Sequence, residues 1–324
     1  MRTIAAIMTA ASVVWTFGTA HAQAPAPGYP TKPIRIIVAY AAGQGTDVAT
    51  RFLGEQLGRE LGQPIVVENK AGAGGNLGTE LTAQAAPDGY TLTMGTNATH
   101  VLNQFLYARL AFDPEKDFEP IAMVGTFPMV VAVGAGAPHH SVADLLESVK
   151  RAPRSADIAM PSTSARLVVE FLKERSAVPL FGVPYKGSGN AVTDVLGGQL
   201  PAVIDTPLAL RPHIAAGKLR ALGVTSATAS SLVPGVKPVA EQGYAGFEFI
   251  AWNALYAPKG TPAAVTGALN AAVNKVLARP EVRQRLLELG FEPAGGTAAS
   301  LHDFAKRERQ RWAPIIKAAG IRAD

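Results

Sequence analysis

The spacing of apolar positions switches between two periods along the chain. Ile34-Arg35-Ile36-Ile37-Val38 is a short β-branched run bounded by turn residues, which predicts a buried strand. Beyond Gly43, Gly45 and Thr46 the apolar positions Ala49, Phe52, Leu53, Leu57 and Leu61 recur at three- and four-residue steps, predicting an amphipathic helix with Thr46 or Asp47 as N-cap. The alternation then repeats, with strands at 64–68 and 90–96, a glycine-rich loop at 72–75 and a helix at 77–86. Further strands are expected at 121–124, 130–133, 158–160, 180–183, 202–205 and 219–225. Helices fit between them at 141–151, 164–175, 191–196 and 207–216.

Strand, glycine-rich loop and helix in rotation predict an α/β protein with parallel, doubly wound sheets. The C-terminal third reads differently, as helices over 262–277, 280–289 and 298–319, with Pro262 and Pro280 at their starts. Extended stretches at 127–133 and 247–256 flank the middle block. If the chain crosses at both, 29–127 plus 250–324 form one lobe and 128–249 the other, joined by two strands.

The N-terminus changes the picture of where the protein works. Arg2, an apolar stretch over 4–17 and the small residues of Ala20-His21-Ala22 predict a secretory signal peptide over 1–22, with Ala24 offering a second cleavage point. That apolar stretch is too short to span a bilayer, which takes about 20 residues. The chain is therefore expected in the periplasm. It has no cysteine, so neither a disulfide framework nor a thiol nucleophile is available, and its length is enough to bury a large core without staples. With 48% hydrophobic and 17% charged residues it is an ordinary folded composition. The excess of 30 Lys+Arg over 25 Asp+Glu is scattered and forms no basic stripe, so nucleic acid is not an expected partner.

In an open α/β sheet the binding crevice lies at the carboxyl ends of the strands. The loops expected there, 40–47, 72–78, 95–100, 161–166, 185–190 and 205–207, are rich in Gly, Ser, Thr and Asn and poor in charge. Backbone N–H groups, hydroxyls and helix N-termini, each carrying about half a positive charge, suit a small anion such as a carboxylate. Each loop taken singly also fits a plain tight connection between strand and helix.

Enzyme signatures are thin. Gly43-Gln44-Gly45-Thr46-Asp47-Val48 and Gly72-Ala73-Gly74-Gly75-Asn76-Leu77 both lack the third glycine of a dinucleotide fingerprint. Gly187-Ser188-Gly189 is not a nucleophile elbow, and Ser188 reads as a helix cap. His139 and His140 are adjacent, so their side chains diverge and cannot share a metal as residues one helical turn apart would. No catalytic residue, metal or cofactor is expected.

Several segments carry a family resemblance. They are Tyr29-Pro30-Thr31-Lys32-Pro33-Ile34-Arg35, Ala42-Gly43 through Thr46-Asp47, and Val67-Glu68-Asn69-Lys70 with Gly72-Ala73-Gly74-Gly75-Asn76. Ala86-Pro87-Asp88-Gly89-Tyr90-Thr91-Leu92, Val183-Pro184-Tyr185-Lys186-Gly187 and Leu196-Gly197-Gly198-Gln199 follow. Gly217-Lys218-Leu219-Arg220-Ala221-Leu222 and Ala257-Pro258-Lys259-Gly260-Thr261-Pro262 complete the set. Together they resemble the solute-binding receptors of tripartite tricarboxylate transporters, the TctC or Bug family, over essentially the whole mature chain.

The resemblance implies a type II periplasmic binding fold that closes on a carboxylate and presents itself to the membrane permease subunits of a transporter. It implies a ligand-binding set of Tyr40, Ala41, Ala42, Gly43 and Asp47 from the first loop, to which this chain's Gln44 is expected to add an amide, with Thr96, Asn97 and Thr99 after the third strand. The second lobe would add Ser162, Ser164, Arg166, Tyr185, Lys186 and Asp205. A monomer is expected. A periplasmic sensor for a signalling partner would use the same fold, and an exported enzyme acting on a small acid is the remaining alternative.

The chain departs from the family pattern at three places. Gln44 replaces the second glycine of the first loop; Thr206 follows Asp205 where Asn is usual. The second-lobe loop, Ala159-Met160-Pro161-Ser162-Thr163-Ser164-Ala165-Arg166-Leu167, is shorter, lacks its glycines and has Arg166 at the usual His. Arg166 could pair with a distal second carboxylate or sit on a solvated first turn of a helix.

Overall fold

A computed structural model describes residues 28–152 and 157–323. The segment read as an export signal, 1–22, lies outside them. In chain order the strands are β1 (Ile34–Val38), β2 (Ile65–Asn69), β3 (Thr91–Thr96), β4 (Phe118–Pro128), β5 (Val130–Gly134), β6 (Asp157–Met160), β7 (Phe181–Pro184), β8 (Ala202–Asp205), β9 (Leu219–Val224), β10 (Ile250–Pro258) and β11 (Glu292–Gly295). The helices are α1 (Gly45–Leu61), α2 (Asn76–Ala83), α3 (Asn103–Leu106), α4 (Val142–Arg151), α5 (Thr163–Ser176), α6 (Ser188–Leu196), α7 (Pro207–Ala215), α8 (Ala263–Leu277), α9 (Pro280–Glu288) and α10 (Ala298–Ala318).

Two sheets result. The first runs β11-β4-β10-β3-β1-β2, the second β7-β6-β8-β5-β9. Both are mixed, which corrects the expectation of parallel sheets. β1, β2 and β3 are parallel, as are β6, β7 and β8, because each pair is linked through a helix. β10 runs antiparallel to β3 and β4, and β5 runs antiparallel to β8 and β9. β5 and β10 are the strands that the chain enters on passing from one sheet to the other, while β11 adds a further antiparallel strand at the β4 edge. Direct passage leaves no helix to restore direction.

The crossings meet at one buried residue. β4 runs through Met129 straight into β5, and the return path from β9 to β10 passes Thr225 and Phe249. Thr225 N donates to Met129 O (3.0 Å), its hydroxyl donates to Phe249 O (2.6 Å) and accepts from Met129 N (2.8 Å), and Phe249 N donates to Thr225 O (2.8 Å). This clasp is the joint between the sheets.

Burial follows the pattern read from sequence. In β1 only Arg35 points outward, where its guanidinium meets Glu68 at 3.2 Å, while Ile34, Ile36, Ile37 and Val38 are buried. Behind the joint, Phe171 of α5, Phe247, Phe249 and Trp312 of α10 form an aromatic cluster that belongs to neither sheet alone.

Among the described residues no helix is long and apolar enough to cross a membrane. Nor does any group of three or more His, Cys, Asp and Glu side chains there stand close enough to hold a metal ion.

Candidate functional site

Strand and loop order brings four helix N-termini to one place. α1 starts after Gln44, α5 after Ser162, α6 after Gly187 and α7 after Thr206. Ser162 and Thr206 act as side-chain caps, accepting from Ala165 N (3.2 Å) and Ala209 N (3.3 Å). Between these termini lies a cleft of about 500 Å³, counting its open mouth, with the crossing residues Phe127 and Met129 in its wall. Every polar wall residue but one is uncharged; the exception is Asp205.

Seven of the expected binding residues line this cleft: Tyr40, Gln44, Thr96, Asn97, Ser162, Ser164 and Asp205. Tyr40 shares a hydrogen bond with Thr96 Oγ1 (2.8 Å), and burial pushes its phenol up to about 12 despite that bond. Asn97 Nδ2 donates to Ser164 Oγ at 3.2 Å, a direct link between the elements of the two sheets across the cleft.

A larger chamber adjoins it, about 1200 Å³ with its mouth, sharing Tyr40, Gln44, Pro161, Ser162 and Thr163 with the inner cleft. Ala41, Arg166, Tyr185 and Lys186 line this outer chamber. No carboxylate is among its lining residues. Arg166 Nη1 reaches Ala323 O at 3.5 Å, and the Tyr185 hydroxyl is turned to the Asp194 carboxylate. Arg166 is thus not a wall residue of the inner cleft.

Gly43 faces a separate side groove with Ser188 and His213. Ala42, Asp47 and Thr99 line none of these spaces. Asp47 is not the N-cap either: the helix begins at Gly45, and the Asp47 carboxylate reaches back to accept from Gly43 N (2.8 Å), Asn69 Nδ2 (2.8 Å) and Arg51 Nε (3.0 Å). Burial would raise the Asp47 carboxyl, but those donors outweigh it and hold it below the usual range. Its work is to shape the first loop. Thr99 accepts from Thr96 N (3.1 Å) and shares a bond with His100 Nδ1 (2.9 Å), so it fixes the end of β3 from behind.

The structure adds wall residues that were not expected. Thr46, Ser188 and Thr206 face the cleft, as does Asn253 in the middle of β10. Asn253 is fully buried; its Oδ1 accepts from Thr46 Oγ1 (3.4 Å) and its Nδ2 has no partner. The signal was legible in principle, since Asn253 is a polar interruption of the apolar run Ile250–Pro258. Ser188, expected as a cap, is the first residue of α6, with Gly187 in the cap position.

Asp205, at the end of β8, is 2% exposed. Its Oδ1 accepts from Thr206 N (2.7 Å), whereas Oδ2 has no partner. Burial raises its carboxyl to about 6, against the pull of the Thr206 N–H and the Ser188 hydroxyl. Asn253 Nδ2 therefore faces the cleft without a partner, and beside it Asp205 Oδ2 makes no hydrogen bond of good geometry, although the Ser188 and Thr206 hydroxyls stand close enough to pull on the carboxyl.

Known proteins share this architecture. An adipate-bound protein of R. palustris superposes with a TM-score of 0.87 at 31% identity, covering 91% of this chain and 99% of its own. MatC of Rhodopseudomonas palustris with bound malate gives 0.82 at 31% identity, covering 89% of this chain and 100% of its own. BugT of Bordetella pertussis is 36% identical over 297 residues, 91% of each chain. The sequence model described as tripartite tricarboxylate transporter family receptor matches residues 49–321, most of the length, and the chain belongs to that family.

Proposed function

We propose that the protein is an exported, monomeric periplasmic receptor that closes on a small carboxylate and delivers it to the membrane subunits of a tripartite tricarboxylate-type transporter. The two lobes would be 29–127 plus 250–324 and 128–249. The observation that carries this reading is the convergence of the α1, α5, α6 and α7 N-termini on a cleft without a cationic wall residue. Such termini favour an anion through oriented N–H groups and do not need Arg or Lys. Adipate and malate in structurally similar proteins support an acid ligand. The wall holds no His, Lys or Cys side chain, and capture rather than turnover is the role this reading assigns.

Thermal unfolding of the mature chain against a panel of carboxylates, including adipate and malate, tests this. An acid at about 100 times its Kd is expected to add about 2.7 kcal/mol of stability. If no acid moves the midpoint, the reading fails.

The outer chamber extends the proposal to ligands with two acid groups. Arg166 and Lys186 stand there with no lining carboxylate to neutralise them, one wall away from the inner cleft. A charge-assisted hydrogen bond from Arg166 to a distal carboxylate would contribute about 1.5–3 kcal/mol. Arg166→Ala is expected to weaken a dicarboxylate roughly tenfold or more and a monocarboxylate by less than about threefold. Equal losses for both, or none, would exclude the pairing.

A further inference from the structure

Most polar groups in the inner wall are already paired with one another. Tyr40 is bonded to Thr96, Asn97 to Ser164, and the hydroxyls of Ser162 and Thr206 to backbone N–H groups. Two fully buried atoms make no such bond: Asn253 Nδ2, and Asp205 Oδ2, whose carboxyl feels the nearby Ser188 and Thr206 hydroxyls but keeps accepting capacity toward the cleft. An amide N–H only donates and an ionised carboxylate oxygen only accepts. A buried donor or acceptor left unpaired loses its hydration without return, so a ligand that meets both gains over one that meets a single atom. A bare carboxylate is acceptor-only. It can satisfy Asn253, but it brings nothing to Asp205 except a like charge.

We propose that Asp205 and Asn253 select acids bearing a hydrogen-bond donor, a hydroxyl or an ammonium, near the carboxylate held in the inner cleft. The selection rests on the carboxylate-receptor reading above. Asn253 Nδ2 donates to the ligand carboxylate, while the ligand donor points to Asp205 Oδ2. A 2-hydroxy or 2-amino dicarboxylic acid would meet both atoms with one end and turn its distal carboxylate toward Arg166 and Lys186 of the outer chamber.

The elements packed against Asp205 present it with no competing charge. They contribute Val130 of β5, Ser188 of α6, Thr206 of α7, Thr46 of α1 and Asn253 of β10. Tyr40 is the remaining titratable group of the inner wall, while Arg166 and Lys186 open into the outer chamber and His213 into the side groove. The charged form of Asp205 grows in as pH rises through about 6. A ligand donor bonds to that charged form and lowers the carboxyl further in the complex. Affinity for a hydroxy or amino acid is therefore present above about 6 and lost below it. At about pH 5 roughly a tenth of the free protein retains the charge, which sets a loss of about tenfold.

Isothermal titration of the mature chain with matched acids tests the proposal. The pairs are succinate with malate and aspartate, and adipate with 2-aminoadipate, at about pH 7.5 and about pH 5. The donor-bearing member is expected to bind about tenfold tighter or better at the higher pH, with that advantage largely lost at the lower pH and in Asp205→Asn. Equal affinities within a pair would show that a bridging water, not the ligand, meets both atoms, and would overturn it. So would an acid whose affinity rises on acidification, the sign of Asp205 donating as a neutral carboxyl, or a preference that survives Asp205→Asn. If acids bind without discrimination, only the present inference falls. If no acid of either series binds, it falls together with the receptor reading.

Discussion

Asn253→Asp is expected to weaken carboxylate binding at least a hundredfold, a loss of about 2.7 kcal/mol, with little change in the fold. The substitution is isosteric, but it converts a free donor into an anion in a wall that already holds Asp205. Two like charges about 4 Å apart repel by about 4 kcal/mol at the effective dielectric of a protein interior near its surface, so a ligand anion entering beside a new carboxylate meets a term larger than any single hydrogen bond in the cleft. Calorimetry on the variant, with circular dichroism to verify folding, gives the result. Affinity within a few-fold of the wild type would mean that Asn253 does not face the ligand.

Trp312→Ala should cost about 3–5 kcal/mol of stability. The indole is 1% exposed and meets Phe171 edge-on with centroids 5.7 Å apart and Phe249 at 5.4 Å. Its Nε1 donates to Glu308 Oε2 at 3.0 Å, and Phe171 in turn stacks on Phe247 at 4.5 Å. Truncation empties the centre of this cluster, and neighbours held by three separate segments have little freedom to collapse into the space. Urea unfolding should show the loss, and at about 2 °C per kcal/mol for a chain of this size the melting temperature should fall by roughly 6–10 °C. Trp312→Phe should recover more than half of it. A fall below about 1 kcal/mol would show that the cluster is not a mechanical tie between the sheets.

The element rhythm was legible because apolar β-branched runs alternate with glycine-bearing loops, and β1 and β8 fall on their expected bounds. What escaped were features decided by partners distant in sequence. The direction of β5 and β10 depends on which sheet receives them, and nothing within either strand encodes that. β11, Glu292–Gly295, has no β-branched residue and exists because β4 offers it an edge. The Asp47 side chain had the composition of a cap, yet Gly43 N and Asn69 drew it elsewhere.

The site was read in part. Seven residues that the family resemblance implied line the inner cleft, and they fall in the loops that the crevice rule placed at strand ends from strand polarity alone. Asn253 was missed because it lies within a strand, not at its end. Arg166 was recognisable as unusual from sequence, but its position in the outer chamber depends on how α5 packs, which spacing along one helix does not determine.

The clasp at Thr225 also bears on how the proposed receptor would report its state. All four of its hydrogen bonds run to Met129 or Phe249, three of them through the amide and hydroxyl of Thr225 itself, so the two crossings are tied into a single ribbon and are not two independent wires. A ribbon has one easy direction of bending. If the protein closes on its ligand as proposed, poses in which one crossing has yielded and the other has not would be disfavoured, and the surface offered to a partner would be close to a yes-or-no message about occupancy.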